Sequence, residues 1–137
     1  MGRVLAIDYG RKRTGLAVTD PLRIIATALD VVSTETLLSF LKTYAQKETV
    51  DEFVIGIPKT LKNEDSEIAP QVKKFVEILK THFPGKPVHE VDERFTSRMA
   101  QRTMIDGGMK KKDRQVKGNV DKISATIILQ SFLESIR

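Results

Sequence analysis

The chain contains no cysteine and no tryptophan, and only two histidines among 137 residues. Without cysteine there is neither a disulfide framework nor a thiolate metal site, so any bound metal must be held by oxygen or imidazole. Aromatic residues make up 6% of the chain, too few to furnish a stacking platform for single-stranded nucleic acid. Long apolar runs are also missing. The stretch Val4-Leu5-Ala6-Ile7 near the N-terminus is too short for a signal peptide, and no later segment approaches the roughly 20 apolar residues needed to cross a bilayer. These absences argue against a membrane partner and make the cytoplasm the expected location.

What is present is an ordinary globular balance, 40% hydrophobic and 30% charged residues. A chain of this length can bury about 65–70% of its unfolded surface, so residues 1–137 are expected to form one domain around one core. No repeat, linker or low-complexity tract interrupts it. The net charge of +5 and pI near 9.5 suit a protein that meets phosphates, although many basic proteins bind none.

Periodicity predicts strands over Val4–Asp8, Thr14–Thr19 and Ile24–Val32, joined by tight turns with glycines at 10 and 15. Ser33 or Thr34 offers a helix cap, and Leu37, Leu38, Leu41, Tyr44 and Ala45 recur at helical spacing up to about Lys47. Asp51-Glu52 leads into a short strand, Phe53–Ile55, that ends at Gly56 and Pro58. A second helix is predicted from Ser66 to Thr81 and a fifth strand from Val88 to Asp92. A third helix, capped by Thr96 or Ser97, ends at Gly107-Gly108. The last runs from about Val120 to Ile136. This order implies an α/β fold: a five-stranded mixed sheet whose later strands run parallel to the first, with helices on both faces.

Ligands of such sheets gather beyond the carboxyl ends of the strands. Asp8 closes the first predicted strand and Asp92-Glu93 the fifth, while Asp121 opens the last predicted helix, whose dipole tolerates negative charge. Each has a plainer reading. Asp8 before Tyr9-Gly10 is good turn chemistry, the Asp92–Ser97 segment can be the approach to a helix cap, and Asp121 can merely complement a dipole. Turn and cap chemistry does not, however, require acids at all of these corresponding points together.

Three blocks resemble the YqgF (RuvX) family, a branch of the ribonuclease H-like fold. Ala6-Ile7-Asp8-Tyr9-Gly10-Arg11-Lys12-Arg13-Thr14-Gly15-Leu16-Ala17-Val18 is similar to that family's opening hairpin. Asp92-Glu93-Arg94-Phe95-Thr96-Ser97 resembles its second signature, and Val120-Asp121-Lys122-Ile123-Ser124-Ala125 its third. The resemblance spans essentially the whole chain in order. Phe95 stands where leucine is usual, Ser124 where alanine is usual, and Asn63-Glu64 where a glycine-bearing loop is expected.

The resemblance implies a metal-dependent nuclease, described in the family as processing the small-subunit ribosomal RNA precursor at the 5' end of 16S rRNA and earlier as a Holliday junction resolvase. Phosphodiester hydrolysis needs an activated water, an in-line leaving oxygen and neutralisation of phosphoryl charge, which two Mg²⁺ or Mn²⁺ ions about 3.5–4 Å apart supply. Hard cations of this kind are held by carboxylates, water and substrate phosphate. Asp8 is then expected to bridge the metals, with Glu93 and Asp121 completing the catalytic set. Asp92 competes with Glu93, because strand alternation sends neighbours to opposite sides.

Two basic clusters flank these acids: Arg11-Lys12-Arg13 in the first turn, and Lys110-Lys111-Lys112 with Arg114 and Lys117 before Asp121. Charge runs are usually solvated surface, but here they are expected to hold a nucleic-acid backbone, with Arg94 and Lys59 as further phosphate contacts. Gly10 and Gly15 share the outer spacing of a P-loop yet lack its Lys-Ser/Thr and following helix. The opening hairpin looks more like the phosphate loop of the actin and sugar-kinase ATPases, which use two such domains where this chain has length for one. Gly10 is expected to permit tight backbone geometry and to leave room for substrate beside Asp8. His82 and His89 have no partner at ligand spacing and read as structural.

The leading expectation is a nuclease acting on structured RNA, with branched DNA as the alternative substrate. Paired cutting of a four-way junction would call for a homodimer. From a different class comes a non-catalytic nucleic-acid-binding module, against which stand the acids, since pure binding gains nothing from carboxylates that repel phosphate.

Overall fold

The computed structural model describes the backbone of residues 2–57, 68–92 and 117–136, and the side chains of these except residues 92 and 117–122. The strands are β1 (Arg3–Asp8), β2 (Arg13–Thr19), β3 (Ala26–Ser33), β4 (Val50–Ile57) and β5 (Val88–Asp92). The helices are α1 (Leu37–Lys47), entered through a 3-10 turn at Thr34–Thr36, α2 (Ala69–His82) and α3 (Lys117–Ser135). The sheet runs β3-β2-β1-β4-β5: β1 pairs antiparallel with β2 and parallel with β4, and β4 pairs parallel with β5. This is the expected mixed sheet.

The central position of β1 follows from its composition, because Val4, Leu5, Ala6 and Ile7 are all fully buried, as a strand covered on both faces requires. Alternate residues serve different layers. Leu5 and Ile7 join Leu16, Phe53 and Ile55 under Leu37 and Leu41 of α1 and Val72, Phe75, Val76 and Leu79 of α2. Val4 and Ala6 join Ala17 and Val54 under Ala125, Ile128, Leu129 and Phe132 of α3, a stripe at i, i+3, i+4, i+7 spacing. The alanines at 6 and 17 let α3 lie close on the sheet.

Four of the starts that differ from the sequence expectation stand out. β3 starts at Ala26, not Ile24. Asp20 folds back instead, one carboxylate oxygen accepting the Ile24 and Ile25 amides at 2.8 Å each, which holds those residues in a turn. These bonds, that from Ile25 foremost, hold the Asp20 carboxyl below the usual carboxylate range. β4 begins at Val50 and includes Asp51 and Glu52, because their carboxylates find partners there. α2 begins at Ala69, with Pro70 in its first turn, where a missing amide costs nothing. α3 begins at Lys117, so Asp121 lies inside the helix and does not open it. Gly118 and Asn119, weak helix formers, fall within its backbone span. Neither Ser33 nor Thr36 makes a side-chain cap to the helix it precedes. The predicted third helix, 96–108, falls outside the described residues.

An ion network closes the amino end of the sheet. Asp51 accepts the Gly2 amide at 2.8 Å and one Arg23 nitrogen at 2.9 Å, while Glu52 takes the other at 2.7 Å and faces His89 Nε2 at 3.0 Å. The Gly2 bond first, and the Arg23 guanidinium with it, hold the Asp51 carboxyl below its ordinary value. A Cβ on Gly2 would run into the Asp51 carboxyl group. Arg23 makes these bonds from a left-handed backbone, φ +59°, a conformation that costs a non-glycine residue roughly 1–2 kcal/mol. The His89 ring lies 4.6 Å from that of Phe132.

Candidate active site

Asp8 is the last residue of β1 and is partly buried. Val4 and Ala6 face α3, and strand alternation puts Asp8 on that same face. Ile7 pairs with Ile55 of β4, and Ile57 at the end of β4 pairs with Asp92 at the end of β5, so the three carboxyl ends share one end of the sheet.

The direction of α3 follows from two observations at the other end. Gln130, Leu133 and Glu134 share a surface pocket with Ile24, Ile25 and Ala26. Ala26 pairs with Thr19, whose hydroxyl accepts the Val4 amide at 2.9 Å, which fixes that pocket at the amino end of β1. The helix therefore runs opposite to β1, and its first turns, whose backbone includes Asp121, lead toward the Asp8 end.

The turn after Asp8 has a defined shape. A Cβ on Gly10 would collide with the backbone carbonyl of Arg13, so the missing side chain makes room for the turn's own backbone. The Thr34 hydroxyl donates to the Gly10 carbonyl at 2.6 Å and lies 2.9 Å from the Thr14 hydroxyl, while the Thr34 amide donates to the Lys12 carbonyl at 3.0 Å. Thr14 is fully buried. The Tyr9 ring packs 5.3 Å from that of Phe75. Arg11, Lys12 and Arg13 are exposed on this braced turn, beside Asp8 as the sequence implies. Thr34 is the residue that sequence reading missed, taking it for a helix cap; a hydroxyl bond spanning 24 positions leaves no local signal.

Glu93, Arg94, Lys59, Lys110, Lys111, Lys112 and Arg114 lie outside the described residues. Asp92 ends β5, and Lys117 and Asp121 lie in α3 by backbone alone. Among the described residues no group of three or more His, Cys, Asp or Glu is placed to hold a metal ion. Among them, too, no helix is long and apolar enough to cross a membrane.

A family model described as "RuvX: Holliday junction resolvase" matches residues 2–135. The chain belongs to the RuvX family. Over 137 residues it is 56% identical to a Bacteroides thetaiotaomicron protein named "Putative pre-16S rRNA nuclease", covering 100% of this chain and 99% of the relative. A protein of the same name from Amoebophilus asiaticus is 50% identical, with 100% and 97% covered. Among solved structures, Thermus thermophilus RuvC in complex with Holliday junction substrate superposes with a TM-score of 0.58, covering 99% of this chain and 96% of that one. At 16% identity that likeness is one of fold, and it gives the RuvX chain the ribonuclease H-like architecture expected from its motifs.

Proposed function

We propose that this RuvX protein is a metal-dependent nuclease that hydrolyses phosphodiester bonds in structured RNA, processing the 5' end of pre-16S rRNA in the cytoplasm. The observation that carries the reading is Asp8: a carboxylate at the carboxyl end of the central strand, on the α3 face, next to a braced turn bearing Arg11, Lys12 and Arg13. The names of the relatives supply the substrate class.

The donor chemistry suits a hard cation, since the chain offers carboxylate oxygens and no thiolate. Asp8, Glu93 and Asp121 would hold Mg²⁺ or Mn²⁺, two ions by the stoichiometry of such sites. Glu93 is preferred over its neighbour Asp92, since strand alternation sends adjacent side chains to opposite sides and only one of the pair can serve. Bound cations would supply an activated water and neutralise charge on the phosphoryl group.

The remaining roles belong to the chain's own side chains. Arg11, Lys12 and Arg13 bind the phosphate backbone on the turn that Thr34 fixes, joined by Lys59, Arg94, Lys110, Lys111, Lys112, Arg114 and Lys117.

The family description favours a second reading, cleavage of branched DNA, in which paired cuts would require a dimer. Labelled pre-16S RNA and a four-way DNA junction, each incubated with the protein in Mn²⁺ beside Asp8→Asn, separate the readings. RNA cleavage lost in the variant is expected, and junction cleavage lost in the variant would move the substrate to DNA. No cutting of either, or equal cutting by the variant, would leave a non-catalytic binding module and end the nuclease reading.

A further inference from the structure

The end of the sheet opposite Asp8 carries an apolar surface that the nuclease reading does not use. Leu22, Ile24 and Ile25 are 64%, 57% and 62% exposed, and Ile136 at the end of α3 is 56% exposed. Single exposed apolar residues are ordinary, but three on one short turn beside a groove are not. The groove lies between that turn and the last turns of α3, lined by Ile24, Ile25, Ala26, Gln130, Leu133 and Glu134.

The turn is also fixed in shape. Asp20 accepts amides from Ile24 and Ile25 on one oxygen and from Leu22 on the other at 3.2 Å, and its carbonyl takes the Arg23 amide at 2.9 Å. Arg23 sits in its left-handed conformation with the side chain turned inward onto Gly2, Asp51 and Glu52. A strained residue persists only where its surroundings over-determine it, and here the result is apolar side chains held outward with their backbone already ordered.

We propose that this surface docks a cationic amphipathic segment of a partner protein. An apolar side chain of the segment packs on Ile24 and Ile25 at the edge of the groove, and an adjacent Lys or Arg enters it to pair with Glu134. The charge of the lining decides the occupant. Among the described residues the only charged side chain lining the groove is a carboxylate, Glu134, whereas Arg23 next to it is engaged by Asp51 and Glu52. A carboxylate at the groove favours a cationic side chain over a phosphate there. A symmetric second copy would lay this same surface on itself, and none of the described lining residues would bring a cation to Glu134. The position leaves the Asp8 end open, so the protein can be held by its partner while the other end meets phosphate.

The test titrates the full chain with a short amphipathic Leu/Lys peptide, its Leu/Glu counterpart and a scrambled Leu/Lys peptide, followed by amide shifts and fluorescence anisotropy. Expected are shifts confined to residues 20–26 and 130–136 and preference for the ordered Leu/Lys peptide. Ile25→Ser should weaken it about tenfold, the loss of one buried apolar side chain, and Glu134→Lys should favour the Leu/Glu peptide. Shifts elsewhere, equal binding of the scrambled peptide, or indifference to both variants would overturn the proposal. So would a wild-type dimer in sedimentation that Ile25→Ser dissociates, or binding to anionic vesicles that Ile25→Ser abolishes. Neither substitution touches the Asp8 end, so nucleic-acid cleavage, whatever its outcome, is read separately.

Discussion

The Thr34 hydroxyl donates to the carbonyl of Gly10 at 2.6 Å, tying the entry of α1 to the turn that follows Asp8. The bond is short in space and long in sequence, and it fixes where three cations stand relative to one carboxylate. Thr34→Val keeps the shape and removes the donor. A net hydrogen bond is worth about 0.5–1.5 kcal/mol, so kcat/KM for RNA cleavage should fall roughly two- to tenfold. The loss should appear mainly in KM, with Thr34→Ser restoring it. Equal kinetics of the Val variant and the parent would show that the turn needs no such brace.

Replacing Arg11, Lys12 and Arg13 together by alanine should weaken RNA binding and flatten its salt dependence. For every phosphate that the variant no longer neutralises, the slope of log K against log salt becomes shallower by about 0.7–0.9. Filter binding across a salt series measures this. An unchanged slope would assign the triplet to solvated surface.

Asp51 makes stability depend on acid. Its folded carboxyl lies below its ordinary value, first through the Gly2 amide and then through Arg23. A depressed folded value means stabilisation that is complete above the unfolded pKa, near 3.9, and is lost as pH falls through the folded value. Urea midpoints should therefore drop below about pH 4 in the parent. Asp51→Asn should start lower at pH 7 and fall less steeply over the acid range, with Asp20, shifted in the same direction, supplying what slope remains.

Two substitutions on α3 should act in opposite directions. Leu129 is fully buried against the sheet, and Leu129→Ala should cost about 2–5 kcal/mol by chemical denaturation. Ser124 is buried with a hydroxyl that finds no hydrogen-bond partner among the described residues, a position where an unsatisfied polar group costs about 1–3 kcal/mol. Ser124→Ala should leave stability unchanged or raise it. A loss above about 1 kcal/mol would mean that the hydroxyl is bonded after all.

The sequence revealed the parts of the fold governed by apolar period. The buried run Val4–Ile7 marked the central strand, Leu37 and Leu41 marked α1, and Val72, Phe75, Val76 and Leu79 marked α2. It misled where a polar residue acts at a distance. Ile24 and Ile25 look like strand residues until Asp20 draws their amides into a turn, and Asp51-Glu52 looks like an approach to β4 until Gly2, Arg23 and His89 satisfy both acids. Asp8 was legible because an apolar run ends there at an Asp-Tyr-Gly step. Thr34 was not, because its partners at Gly10 and Lys12 come from another element.

The strand at the middle of the sheet, β1, leaves the ribosome long before α3, the helix that covers its Val4–Ala6 side. A growing chain can close the β1–β2 hairpin early, yet one side of that hairpin stays oily and wet until α3 arrives. Synthesis stalled before Ala125 should thus leave that apolar side uncovered and prone to aggregate, so that burial of the central strand waits on the emergence of α3.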